Sequence, residues 1–190
     1  MLVLASTSPY RRELLARLGL AFEVFSPGID EEPLCDEAPA DTAIRLAQAK
    51  AQAGAARHAY AVVIGSDQVA ELDGHRLDKP GTCERAARQL ELLSGRFADF
   101  HTAVAVLNGA SGKLQVQTVT TRVHFRPLSK RQIDAYLQRE QPFDCAGSAK
   151  SEGLGIALIR RIEGTDPTAL IGLPLIALTE MLRAEGLEVL

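Results

Sequence analysis

The sequence predicts an α/β domain, a mixed and twisted sheet flanked by helices, as a single unit over residues 1–190 with a cleft between two lobes. Strand-like and helix-like segments alternate along the chain, which is the pattern of that class. From Asp99 to Phe125 the pattern becomes two longer strands joined by Asn108-Gly109-Ala110-Ser111-Gly112. No internal repeat, low-complexity stretch or linker divides the chain.

Each element follows from its residues. Leu2-Val3-Leu4-Ala5 is a short apolar run that suits a buried strand. Ser6-Thr7-Ser8 then opens a helix, with Ser8 placed to cap it and Pro9 at the first helical position. Leu14, Leu15 and Leu18 share one helical face, and Gly19 stops the run. A strand is expected near Phe22–Phe25, followed by the acidic loop Pro27-Gly28-Ile29-Asp30-Glu31-Glu32-Pro33. Residues 41–57 read as an alanine-rich helix capped by Asp41, with Ile44, Ala47 and Ala51 at helical spacing.

Ala61-Val62-Val63-Ile64 reads as a short buried strand ending at Gly65-Ser66-Asp67-Gln68, and Val69–Leu72, Asp73-Gly74 and Arg76-Leu77 as a hairpin. A helix follows over Thr82–Leu93 and closes at Gly95. Ser129-Lys130-Arg131-Gln132 is a capping box that opens a helix to about Arg139. Ile156–Ile162 reads as a further strand, and a last helix runs from Pro174 to Glu185, with Gly186 beyond it.

Composition removes several function classes. An apolar fraction of 46% and a charged fraction of 24% are ordinary for a globular domain. A net charge of −3 gives no general attraction to nucleic acid or to an anionic membrane. No segment approaches the roughly 18 uncharged apolar residues of a spanning helix. The start lacks a basic region before its short apolar run, so no secretion signal is expected. Cys35, Cys83 and Cys145 are odd in number and far apart, which fits a reducing cytoplasm.

The chemistry concentrates in a few places. Ser6-Thr7-Ser8-Pro9-Tyr10-Arg11-Arg12 puts hydroxyls, free helix amides and two guanidiniums at one strand end, an anion seat. The aromatic Tyr10 within it suggests a nucleotide, although a capped helix with solvated arginines fits the same residues. Asp67, at the carboxyl end of a buried strand, could bind Mg²⁺ or Mn²⁺ and deprotonate water, or could equally be a turn aspartate. Asp30, Glu31 and Glu32 offer further hard oxygens, or a solvated loop.

Lys50 and Lys79 could serve as phosphate point charges or remain ordinary surface lysines. Glu152 lies within the small-residue segment from Cys145 to Gly155, which would let a flat ligand approach the backbone, or is an exposed glutamate on a flexible loop. His58, His75, His101 and His124 show no ligand spacing and no paired nucleophile, so zinc enzymes and hydrolase triads are disfavoured.

Taken in order, Leu4-Ala5-Ser6-Thr7-Ser8-Pro9-Tyr10-Arg11-Arg12, Asp30-Glu31, Arg45-Leu46-Ala47 with Lys50, Gly65-Ser66-Asp67-Gln68, Lys79-Pro80, Leu93-Ser94-Gly95, Ala146-Gly147-Ser148, Glu152-Gly153-Leu154-Gly155 and Ile171-Gly172-Leu173-Pro174 resemble the Maf family of nucleoside triphosphate pyrophosphatases. The resemblance spans nearly the whole chain. It implies a Maf/ITPase-like fold around a nucleotide cleft and cleavage between the α- and β-phosphates with a divalent cation. It also implies Asp67 as the base and a metal carboxylate, Glu31 as the second metal carboxylate, and Ser6, Arg11, Lys50 and Lys79 as triphosphate ligands. A homodimer is the family's further implication.

Three positions separate substrate classes within the family. Tyr10, Gln68 and Glu152 are similar to the subfamily acting on 7-methyl-GTP, where the first position is commonly Trp. Members acting on dTTP and UTP resemble Ser-Pro-Arg-Arg, Ala-Asp-Thr and Gln-Gly-Leu-Gly at the same places. The physics agrees: an aromatic face gains about 0.5–2 kcal/mol from a cationic ring. Glu152 can accept from the guanine N1–H and amino group, whereas uracil and thymine present two carbonyls around one N–H. A dTTP/UTP pyrophosphatase, or a broader one acting on UTP, CTP or GTP, is the alternative within enzymes. A non-catalytic regulator of cell division or septation is the alternative from another class. A nucleic-acid or cap-binding module is disfavoured by the charge and by the scarcity of aromatics.

Overall fold

β1 (Leu2–Ala5) runs parallel to two neighbours, β2 (Glu23–Phe25) on one side and β3 (Val62–Leu72) on the other. The computed structural model describes residues 1–190. α1 (Pro9–Ala16) and α2 (Pro39–Arg57) make the two parallel crossovers. Beyond β3 the sheet turns antiparallel through β5 (Phe97–Asn108), β6 (Leu114–Phe125) and β7 (Ile159–Glu163). The small strand β4 (His75–Leu77) returns along β3 by a tight turn at Asp73-Gly74. α3 (Cys83–Leu93), α4 (Lys130–Glu140) and α5 (Leu175–Arg183) complete the flanking helices. The result is a mixed seven-stranded sheet, as the alternation of elements predicted.

Two apolar cores form at opposite ends of the long strands. One gathers Leu2, Leu4, Ile64, Val104 and Val106 under α1 and α5. The other gathers Ala70, Leu72, Phe100 and Val123 under α3 and α4. On the opposite face from α5, α2 presents Ala43, Ala47 and Ala51, small enough to let its backbone lie almost on the sheet. The approach is closest at Gly65, where a Cβ would stand 2.1 Å from Ala47 O. Only glycine fits there.

Three expectations are corrected. Gly65-Ser66-Asp67-Gln68 does not end a strand; β3 continues through it for eleven residues, to Leu72. The cause is long-range: β5 pairs with every residue from Val62 to Glu71 and carries the chain straight through. Asp41 is not a cap. It lies in the first turn of α2, which starts at Pro39 after Ala38, with no side-chain cap bond. The strand expected from Ile156 begins at Ile159, because Leu154–Leu158 form a 3-10 turn around Gly155. The capping box at Ser129 and the Ser8 cap, whose hydroxyl accepts from Arg11 N at 3.3 Å, form as expected.

Candidate active site

β1 and β4 share one edge of β3 without meeting. β1 accompanies β3 only as far as Gly65, and β4 joins only from Ala70. Residues 66–69 therefore face no strand on that side, and a cleft of about 670 Å³ opens there. It brings together Ser6, Tyr10, Arg11, Glu31, Lys50, Asp67, Gln68, Lys79 and Glu152, whereas Arg12, the second guanidinium expected in the anion seat, is exposed and does not line it. Asp67 thus sits beyond the end of the parallel pairing rather than at the end of its own strand. The placement resembles the carboxyl-edge sites of open α/β sheets.

One end of the cleft is a cluster of opposed charges. Lys50 reaches from the small-residue helix α2 and places Nζ 2.6 Å from Asp67 Oδ1 and 2.6 Å from Glu31 Oε1. The Lys50 side chain is only 6% exposed, so this ammonium is a held counter-ion and not a solvated one. Burial pushes the Glu31 carboxyl up, but the Lys50 hydrogen bond and the charges of Lys50, Lys79 and Arg11 bring it below the ordinary carboxylate range. Burial lowers the Arg11 guanidinium from its ordinary value, and the charges of Asp67 and Glu31 oppose that. Arg11 Nε donates to Gly172 O at 2.9 Å, and Nη1 lies 3.5 Å from Ser6 Oγ.

The loop carrying Glu31 is fastened to α2 by Glu37. Its carboxylate accepts from Arg45 Nε at 2.6 Å and Nη2 at 2.8 Å, from Thr42 Oγ1 at 2.9 Å and from Leu34 N at 3.1 Å. Arg45 Nη2 also donates to Glu32 O at 3.0 Å. The Arg45 hydrogen bonds are the main reason the Glu37 carboxyl is held down at about 2. A carboxyl lowered in the fold contributes stability above its unfolded value of about 4.3 and loses it as the pH falls. Urea midpoints should therefore decline between pH 5 and pH 2 in the wild type. Glu37→Gln should start lower and decline less over that window; equal declines would contradict this role for the pair.

The other end of the cleft is aromatic and acidic. The Tyr10 hydroxyl donates to Asp144 Oδ2 at 3.3 Å, and burial, with Cys145 and Asp144, raises its pKa above the ordinary phenol value. Lys150 Nζ lies 5.4 Å from the Tyr10 ring centroid and 3.2 Å from Glu140 Oε1. Glu140 Oε2 accepts from Leu154 N at 2.6 Å, which folds the loop bearing the exposed Glu152 around a mostly buried carboxylate. Burial pushes the Cys145 thiol up to about 12, so it remains a thiol at neutral pH.

Gln68 is more committed than its sequence position suggested. Its amide nitrogen reaches Thr102 Oγ1 at 2.9 Å and the carbonyls of Ala169 and Leu170, both at 3.0 Å. Ser66 Oγ lies within hydrogen-bond distance of Ala103 O and Gly172 O. Sequence reading quoted Ile171-Gly172-Leu173-Pro174 without giving it a role, and it missed Ala169, Leu170 and Asp166, which anchors that segment. The short motif Asp166-Pro167-Thr168 before a helix was the available signal. Arg76 was also missed: it lines the cleft, pairs with Asp78, and buries Nη1 without a partner. His101 and His124 lie outside the cleft, beside Thr120 and Glu163.

The residues fit a hard divalent cation. Glu31 and Asp67 already converge on one positive group, Lys50, and both offer carboxylate oxygens. No cluster of three or more His, Cys, Asp or Glu side chains forms a closed metal cage. Two carboxylates can hold a hard cation whose remaining positions go to water and substrate phosphates. No helix is long and apolar enough to cross a membrane.

A family model described as Maf-like protein matches residues 1–185. The 7-methyl-GTP pyrophosphatase of Thiobacillus denitrificans is 61% identical over 189 residues, covering 100% of this chain and 94% of that protein. The protein of the same name from Methylobacillus flagellatus is 58% identical, covering 100% of this chain and 98% of that protein. Among solved structures, the Staphylococcus aureus Ham1 protein matches with a TM-score of 0.47 and 19% identity, covering 66% of this chain and 72% of that one.

Proposed function

The chain belongs to the Maf-like family, and on that premise we propose that it hydrolyses 7-methyl-GTP to 7-methyl-GMP and pyrophosphate. The observation that carries this reading is the polarity of the cleft. Arg11, Lys50 and Lys79 stand around two carboxylates at one end, and Tyr10 stands with Glu152 at the other. Relatives at 58–61% identity that are named 7-methyl-GTP pyrophosphatase support the same substrate.

The triphosphate lies along Ser6, Arg11, Lys50 and Lys79, and a water is placed opposite the pyrophosphate leaving group. With Asp67 Oδ1 taken by Lys50, Oδ2 is the oxygen that orients this water and takes its proton. The water oxygen attacks the α-phosphorus, and the bond to the bridging oxygen breaks. The leaving pyrophosphate then carries charge that the lysines and Arg11 neutralise. Glu31 and Asp67 would hold a divalent cation, Mg²⁺ or Mn²⁺, which when bound supplies charge neutralisation to the phosphates and acidifies water. Three unpaired cysteines suit a reducing cytoplasm as the place of work.

Base choice follows from charge. The methylated guanine ring is cationic, so the Tyr10 face attracts it more than a neutral base. Glu152 counters the positive charge and accepts from the donors of the Watson–Crick edge. A panel of 7-methyl-GTP, GTP, UTP and dTTP, read by pyrophosphate release with Mg²⁺ or Mn²⁺, tests this. kcat/KM should be highest for 7-methyl-GTP by about tenfold or more, as expected for about 1.4 kcal/mol of base discrimination. Equal or faster turnover of UTP would overturn the specificity.

A further inference from the structure

The structure assigns Asp166 as the positioning residue for Arg11, acting through the backbone arch of residues 168–175. The assignment rests on the reading of Arg11 as a triphosphate ligand and deepens it. Asp166 is 2% exposed and has no cationic partner. Its charge is satisfied by neutral donors: Oδ1 accepts from Thr168 N at 2.9 Å and Thr168 Oγ1 at 2.7 Å, and Oδ2 accepts from Ile176 N at 2.7 Å. Thr168 Oγ1 in turn accepts from Leu175 N at 2.8 Å. One carboxylate therefore ties together both ends of the arch. It also satisfies the Ile176 amide in the first turn of α5, with Thr168 Oγ1 taking the Leu175 amide, where the N-cap Pro174 makes no side-chain cap bond.

The arch is a row of carbonyls aimed at the cleft residues. Its only regular structure is the 3-10 turn Ala169–Ile171, too short to hold its shape alone. Ala169 O and Leu170 O hold Gln68, and Gly172 O holds Arg11 Nε. Gly172 adopts φ +124°, a conformation that side chains rarely take, so its carbonyl direction depends on this backbone geometry. The guanidinium is planar and rigid, so one fixed bond at Nε sets the direction of its remaining N–H groups. Loosening the arch would leave Arg11 present and charged but wrongly aimed.

Inorganic tripolyphosphate with Mg²⁺ is the probe, because it reads the phosphate end without the base. Its affinity is measured by calorimetry in a double-mutant cycle of Asp166→Asn and Arg11→Gln, with circular dichroism to confirm the fold. Each single change should weaken binding about tenfold or more. In the Asp166→Asn protein, adding Arg11→Gln should cost less than a further threefold. Fold-changes that multiply would overturn the positioning role and leave the proposed function standing. Failure of the wild type to bind tripolyphosphate would overturn the phosphate assignment and this inference together. If Asp166→Asn does not fold, Thr168→Val, which removes two of the arch bonds, takes its place in the same cycle with the same outcomes.

Discussion

Asp67→Asn should lower kcat for 7-methyl-GTP by about 10²–10⁴-fold, the range for loss of a placed general base. Asparagine keeps the size of the side chain and an oxygen for Lys50, which also retains Glu31 at 2.6 Å. The buried ammonium is therefore not stranded, and the fold should survive by circular dichroism. What disappears is the carboxylate oxygen that takes the proton and helps to hold the cation. Full hydrolysis by this variant would remove Asp67 from the mechanism. The same variant separates the regulatory alternative: a cell-division phenotype that persists without hydrolysis would favour a non-catalytic role.

Exchanging the base end should redirect the enzyme. Tyr10→Arg/Glu152→Gln removes the aromatic face and the acid together, and it places a guanidinium beside Asp144, where the Tyr10 hydroxyl now donates. The cationic ring loses about 0.5–2 kcal/mol of attraction at Tyr10, and the hydrogen bonds to a charged Glu152 are worth about 1.5–3 kcal/mol. Together these correspond to a fall of about 30-fold or more in kcat/KM for 7-methyl-GTP relative to UTP. Steady-state kinetics on both nucleotides checks this, with GTP separating ring charge from ring shape. An unchanged ratio would show that Tyr10 and Glu152 do not select the base.

Much of the site was legible because its residues sit in short, ordered segments with their own chemistry. The apolar run, the Ser8 cap and Pro9 could be read as a strand entering a capped helix, and the structure builds that local geometry. What could not be read depends on partners distant in sequence. β3 runs past Asp67 because β5, more than thirty residues later, pairs with it throughout. Gln68 looked like a residue offered to the ligand, yet its amide nitrogen is held by Thr102 and by a segment a hundred residues away. Asp166 gave only a turn signal, since its meaning lies in the arch it closes. Lys50 showed its charge but not that it stands between two acids drawn from different elements.

The stopping points of β1 and β4 have a consequence for how such a site can change. They leave a window over residues 66–69 of β3, about 13 Å of strand at 3.3 Å per residue. The binding space is thus a missing stretch of sheet, bordered by strands that halt early, rather than a pocket hollowed out of the core. Chemistry can be revised at the rims, in the turn after Ala5 or the segment after Leu77, without repacking either apolar cluster. A change that prolonged β1 or β4 by a few residues would zip the window shut and silence the molecule while leaving it well folded.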